Sequence, residues 1–204
     1  MTLKLFFGIL SIIPAVIAYF CYFRDTFRGK TKPHAFSWLV WGILAGNGFF
    51  AQVSAHAGIG AWVTGLTSVA SLSIFVYALR IKATKPTAFD WALLGLALLS
   101  LLLLLVVTSK HIALWLTLIA LVAGFAMNIR KAYLKPHEEN PIAFWLNALK
   151  FVPGILALTS FSFLTVAYPL AAALGNAALA LVVALRRKSQ PAVVALVANV
   201  RGRP

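Results

Sequence analysis

Residues Thr31–Gly42, TKPHAFSWLVWG, recur at Thr84–Gly95 as TKPTAFDWALLG, with seven of the twelve aligned positions identical. A looser copy begins at Leu134, LKPHEENPIAFWLNAL, so Lys-Pro recurs at Pro33, Pro86 and Pro136, each time ahead of a long apolar run with a Trp near its start. Each copy ends a basic loop and starts a hydrophobic helix. Repetition at this scale points to a fold built by duplication.

The chain of 204 residues is 62% hydrophobic and only 11% charged, with a mean hydropathy of +0.93. That excludes an ordinary soluble domain and points to lipid. The formal charge of +14 raises nucleic acid as a partner. The basic residues, however, fall in short clusters between apolar runs rather than along one aromatic-laced surface, and read as topology signals. Cys21 is the only cysteine, which excludes an internal disulfide and a cysteine metal centre.

A hydrocarbon core about 30 Å thick takes about 20 apolar residues in a helix. Seven stretches qualify, near 5–23, 36–54, 61–80, 88–107, 112–129, 141–160 and 164–185. Arg24, Arg28, Lys30 and Lys32 follow the first, Arg80, Lys82 and Lys85 the third, and Arg130, Lys131 and Lys135 the fifth; Arg186, Arg187 and Lys188 follow the last. The intervening loops carry no basic residue except Lys110. The alternation predicts a multi-pass protein of a bacterial-type inner (plasma) membrane, N-terminus outside and C-terminus cytoplasmic. The first stretch imitates a signal peptide up to Val16-Ile17-Ala18, but the charge that follows it predicts an uncleaved helix.

Helix four, LLGLALLSLLLLLVV, carries Ser100 as its one hydroxyl before Thr108, so it is expected to face lipid on most sides. That sets it apart as a linker and divides the fold as 3+1+3: an all-α integral membrane protein of seven transmembrane helices. The domains are 1–82 (first triple-helix bundle), 83–108 (linker helix), 109–188 (second bundle) and 189–204 (cytoplasmic tail). Three spans return the chain to the opposite side, so one extra crossing makes the two triplets parallel repeats.

This plan resembles the PQ-loop superfamily, which includes the SWEET and SemiSWEET sugar transporters. The local likeness is Ile13-Pro14-Ala15 in helix one, a basic turn, then Phe36–Gly42; the second half offers Gly124-Phe125 followed by Arg130, Lys131 and Pro136. Where the family has Pro-Gln, this chain has Pro14-Ala15 and Gly124-Phe125. In that family an Asn on the third helix of each triplet faces the substrate. The resemblance implies that role for Asn176, with Ala70 and Ser71 at the matching place in helix three.

Lys150 is the least expected residue, because a Lys near mid-span costs about 2.5–3.5 kcal/mol to insert. Asn147, three residues earlier, shares its helical face. Three readings are open: a residue of a polar cavity, a Lys snorkelling to the interface from a span that starts later, or a structural clasp on backbone carbonyls. The first makes Asn47, Ser71, Asn147, Lys150 and Asn176 a substrate-binding set for a sugar-like or anionic solute. Pro14 and Pro153 are expected as hinges, and Pro169 as a further kink.

Other residues read more plainly. Trp38, Trp62, Trp91, Trp115 and Trp145 fit an interfacial belt. The hydroxyl stripe Thr64, Thr67, Ser68 and Ser71 fits close packing or a wet cavity. Asp90 suits a helix start, Glu138 and Glu139 a paired or capping turn, and His34, His56, His111 and His137 solvated loops. HExxH, GxSxG and phosphate-cradling loops are missing, and the last span holds no Lys for a retinal Schiff base. The expectation is a transporter without enzymatic activity or cofactor, partnered by the bilayer and a small polar solute, with self-association left open. The competing class is a membrane receptor or assembly scaffold that binds a cytoplasmic partner or anionic lipid.

Overall fold

Where each Lys-Pro copy ends, a helix is capped. His34 Nδ1 accepts from the Ser37 amide at 3.3 Å. Thr87 and Asp90 form a reciprocal capping box, and Asn140 accepts from the Ala143 amide at 2.9 Å with Pro141 in the first turn. The repeat therefore encodes helix starts: the polar residue satisfies an amide that the first turn leaves without a partner.

The structure is a computed structural model that describes residues 3–81, 87–107 and 109–189. The Lys-Pro of the second copy, Lys82, Thr108 and the tail from Gln190 lie outside the described residues. The helices are α1 Leu3–Phe27, α2 Ala35–Ser54, α3 Trp62–Arg80, α4 Ala88–Val106, α5 Lys110–Leu134, α6 Pro141–Leu149, α7 Phe151–Leu156 and α8 Phe163–Ser189, with 3-10 turns at Gly58–Ala61 and Pro136–Glu138. Six of the expected spans are long and apolar enough to cross a membrane, which fits a multi-pass membrane protein.

The expected span 141–160 differs. Pro153 has no N–H to give the Leu149 carbonyl, and the helix divides at Lys150 into α6 of 9 residues and α7 of 6 residues. Together they reach only about 24 Å at 1.5 Å per residue. The loops complete that side: the Thr159 amide donates to Ala57 O at 3.0 Å, its hydroxyl to His56 O at 2.6 Å, and Ser160 Oγ to Ala55 O at 2.7 Å.

Within the first three helices α3 packs on both α2 and α1; within the last set α8 packs on α5, α6 and α7. Across the sets α1 lies against α6 and α7, and α2 against α5, while α4 packs on α2 and α5. As expected, α4 presents most of its surface outward, with Leu98, Leu102 and Leu105 exposed. It does have one inward stripe, Asp90, Leu93, Ala97, Ser100 and Leu104, at helical spacing. The outer faces of α1 and α5 are similarly apolar and exposed, as a surface against hydrocarbon requires.

Two ends are finished by specific devices. α1 stops in a Schellman arrangement, Lys30 N to Asp25 O at 2.9 Å and Gly29 N to Thr26 O at 3.0 Å, with Gly29 at φ 67° where a side chain is disfavoured. At the sparsely charged end, Lys110 Nζ donates to Leu104 O and Val107 O, and Lys4 Nζ to Leu156 O. Lys110, which departs from the charge alternation, and Lys4 thus each supply a donor to carbonyls at a helix C-terminus.

The close approach of α7 to the Gly58–Ala61 turn leaves no room at Gly60, where an added Cβ would lie 2.6 Å from Gly154 O and 2.8 Å from Leu158 N. Gly60→Ala is expected to cost about 1–3 kcal/mol through overpacking, read as a lower melting midpoint of the purified protein in detergent. At Gly95, within α4, nothing lies within 4 Å of such an atom; Gly95→Ala should leave the midpoint unchanged or raise it by helix propensity.

Candidate functional site

The division of the helix at Lys150 fixes the site. Lys150 stands nine residues after Pro141, about 14 Å along the helix, close to half of the hydrocarbon core. It is 1% exposed, which overturns the snorkelling reading. Its Nζ donates to Asn147 Oδ1 at 2.6 Å and to Tyr19 Oη at 2.9 Å. It also lies 4.5 Å from the centroid of the Tyr19 ring and 5.0 Å from that of Phe151, the geometry of a cation–π contact. Two of the three directions around the nitrogen are thus spent on partners. Among the described residues no carboxylate pairs with it.

Lys150 forms part of the wall of a cavity with about 30 Å³ of space for water centres, room for one or two waters. α1 supplies Tyr19, α2 Trp38 and Trp41, α3 Thr67 and Ser71, α5 Leu121 and Phe125. α6 and α7 add Phe144, Asn147 and Phe151 around Lys150, and α8 adds Tyr168, Ala172 and Asn176. α4 supplies none of the lining. Half of the lining residues are aromatic and five are polar, the mixture that small-molecule sites commonly show. Trp41 Nε1 is buried without a hydrogen-bond partner and lies against Gly124 of α5, 3.3 Å from where a Cβ on that glycine would sit.

Four of the five sequence-predicted site residues meet here: Ser71, Asn147, Lys150 and Asn176. Asn176 also donates to Ala172 O, one turn back, at 2.8 Å. Asn47 does not line this cavity. Its Nδ2 donates to Ser100 Oγ at 2.5 Å and Ala97 O at 3.3 Å, and lies 3.5 Å from Thr117 Oγ1. It fastens α4 and α5 to α2, since a polar group in this core needs an internal partner. The single hydroxyl of α4 is therefore a structural contact rather than a stray polar atom.

The hydroxyl stripe of α3 serves both purposes foreseen for it. Ser68 Oγ donates to Gly42 O across the helix pair at 2.7 Å, whereas Thr67, which donates to Val63 O at 2.7 Å, and Ser71 line the cavity. Trp38 departs from the expected belt. It is 4% exposed, donates to Tyr22 Oη at 3.1 Å and helps to wall the site, while Trp62, Trp91, Trp115 and Trp145 are exposed as a belt requires.

Of the prolines, Pro14 sits inside continuous α1 and Pro169 inside continuous α8; only Pro153 coincides with a break. Pro169 deprives Thr165 O of its helical donor, and Gln52 Nε2 supplies one from α2 at 2.8 Å. Tyr19, Trp41, Tyr168 and Gln52 were not singled out as site or clasp residues from the sequence. Aromatic residues are common on every span, and no periodicity marks which ones converge.

Contacts join the two helix sets at either end. On the sparsely charged side they are the Gln52 clasp and the docked loops. On the basic side Asn140 Nδ2 donates to Asp25 Oδ2 at 2.5 Å, Lys131 Nζ donates to Lys32 O at 3.2 Å, and Lys32 lies 3.6 Å from Glu138. His34 is a cap rather than a solvated loop residue, and its Nε2 lies 3.7 Å from Asp90. Glu138 and Glu139 pair in the turn as expected, Glu139 with Lys131 at 2.6 Å.

Comparison with protein-family models, with curated proteins and with solved structures finds no match.

The Glu139 carboxyl gives the basic seam a pH signature. Burial pushes it above the ordinary 4.5, and Lys131 opposes that shift. The folded chain then holds this proton more tightly than the unfolded one. Its contribution to stability is complete below the unfolded value and is lost as pH rises through the raised folded value. Between about pH 4 and pH 8 the melting midpoint should therefore fall more for the parent protein than for Glu139→Gln. Parallel curves would contradict the assignment.

Proposed function

We propose that this chain is a PQ-loop-like transporter that moves a small polar solute by alternating access between two triple-helix bundles, α1–α3 and α5–α8, with α4 as the linker. The packing supports this plan: in each set the last helix lies against both others, and the cross contacts α1 with α6 and α7 and α2 with α5 correspond under exchange of the two sets. Parallel repeats about an axis along the membrane normal would give this correspondence. With the basic loops inside, the N-terminus lies outside and the C-terminus in the cytoplasm of an inner (plasma) membrane.

The single observation that carries the reading is the cavity. It is lined by both sets and not by the linker, and Lys150, with Asn147, Asn176 and Ser71, brings polar groups to it without any carboxylate. Such a wall selects a solute that accepts hydrogen bonds, a sugar-like molecule or a small anion. Room for only one or two waters corresponds to an occluded form, and entry of solute requires the seams at one end to part. Pro153, beside Lys150, and Pro14 are the proposed flexing points.

The small size of the cavity also favours a second reading, a static bundle that serves as receptor or scaffold. Flux separates them. Protein reconstituted into vesicles should take up at least one member of a panel of sugars and small carboxylates above protein-free vesicles. Lys150→Met, at matched insertion, should cut that uptake about tenfold or more, equivalent to about 1.4 kcal/mol. No flux across the panel, or flux indifferent to Lys150→Met, would contradict the proposal.

A further inference from the structure

Outside the central cavity, the seam between α1 and α6–α7 carries two adjoining features. Toward the sparsely charged end it is an apolar trough of about 460 Å³ walled by side chains that include Leu10, Ile13, Ile17, Leu146, Leu149 and Val152. Ile13, Ile17, Leu149 and Val152 are about half exposed, so the trough opens to the hydrocarbon. At the basic end the seam widens into a polar cleft of about 380 Å³ lined by Arg24, Lys30, His137 and Arg187 together with Asp25 and Glu139.

The two adjoin. Cys21 and Ile142, which line the cleft, stand one helical turn from Ile17 and Leu146, which line the trough, on both walls of the seam. The charge in the cleft is unbalanced. Asp25 is taken up by Arg24 at 3.0 Å and by Asn140, and Glu139 by Lys131. Among the described residues that leaves Lys30 without a carboxylate, while Arg187 shares with Lys131 the charge of Glu139. Arg187 also spends two of its N–H groups on Pro136 O and Glu139 O, which fixes its guanidinium in place.

From this juxtaposition we infer that the α1/α6–α7 seam binds an anionic phospholipid, its phosphate in the basic cleft and an acyl chain in the trough. The inference needs only that the helices span a bilayer and is independent of the transport reading. A basic pocket between spanning helices suits a phosphate headgroup, and the trough distinguishes a lipid from soluble phosphate. The seam is also the outer side of the wall that holds Tyr19 against Lys150, so an occupant would brace the contact between the two helix sets.

Native mass spectrometry of the purified full chain, delipidated and then exposed to micelles doped with phosphatidylglycerol or phosphatidylcholine, tests this. Phosphatidylglycerol should be retained at least about fivefold more, the effect of one basic contact near the surface. Lys30→Gln should remove about that preference, and Ile17→Trp, which fills the trough, should lower retention of phosphatidylglycerol. Leu102→Trp, on the outer face of α4, should change neither. Equal retention of the two lipids, or a preference unmoved by Lys30→Gln, would overturn the site. Protection against melting by inorganic phosphate, with phosphatidylglycerol retention unmoved by Ile17→Trp, would assign the cleft to soluble phosphate and overturn the lipid.

Discussion

An amine buried between apolar helices constrains everything packed near it. Lys150 cannot be left in hydrocarbon, so α6 must turn it inward, and its partners must come from its own helix and from across the seam. Asn147 is the first and Tyr19 the second. The bond to Tyr19 joins the first helix set to the last, and α1 accordingly lies along α6 and α7. Around that junction the aromatic residues assemble because they fill volume, present ring faces to the nitrogen and keep the region dry. The cavity is what this packing leaves over.

The same logic governs the backbone. In a membrane every carbonyl must find a donor within the protein, and each proline removes one. At Pro153 the helix divides and gives Lys150 its position; at Pro169 the helix continues because Gln52 reaches over from α2. Such repairs also join the helix sets, so the prolines act in packing as well as in bending. At the helix ends, His34, Thr87 and Asn140 do the corresponding work for amides, and Lys110 and Lys4 for carbonyls.

Much of this was legible from residue order. Apolar run length and charge alternation located six long helices within a few residues, and the repeat marked where α2, α4 and α6 begin. Insertion cost alone identified Lys150, and helical spacing supplied Asn147. The rest depends on contacts between distant segments. Nothing in the spacing of Asn47 separates a cavity residue from a clasp on Ser100 and Thr117, because either use gives its buried Nδ2 a partner. Trp38 stands near a span start as the belt tryptophans do, and only the position of Tyr22 turns it inward. The single span expected at 141–160 divides at Lys150 and ends at Leu156, because run length does not register the donor that Pro153 withdraws.

The account rests on Lys150 being held by Tyr19 across the two helix sets, and a double-mutant cycle measures that directly. Unfolding free energies in detergent for the parent, Tyr19→Leu, Lys150→Met and the double variant should give a coupling of about 1 kcal/mol, at the upper part of the range for polar contacts between membrane helices. Additive effects, with no coupling beyond about 0.3 kcal/mol, would place the amine elsewhere and contradict the account.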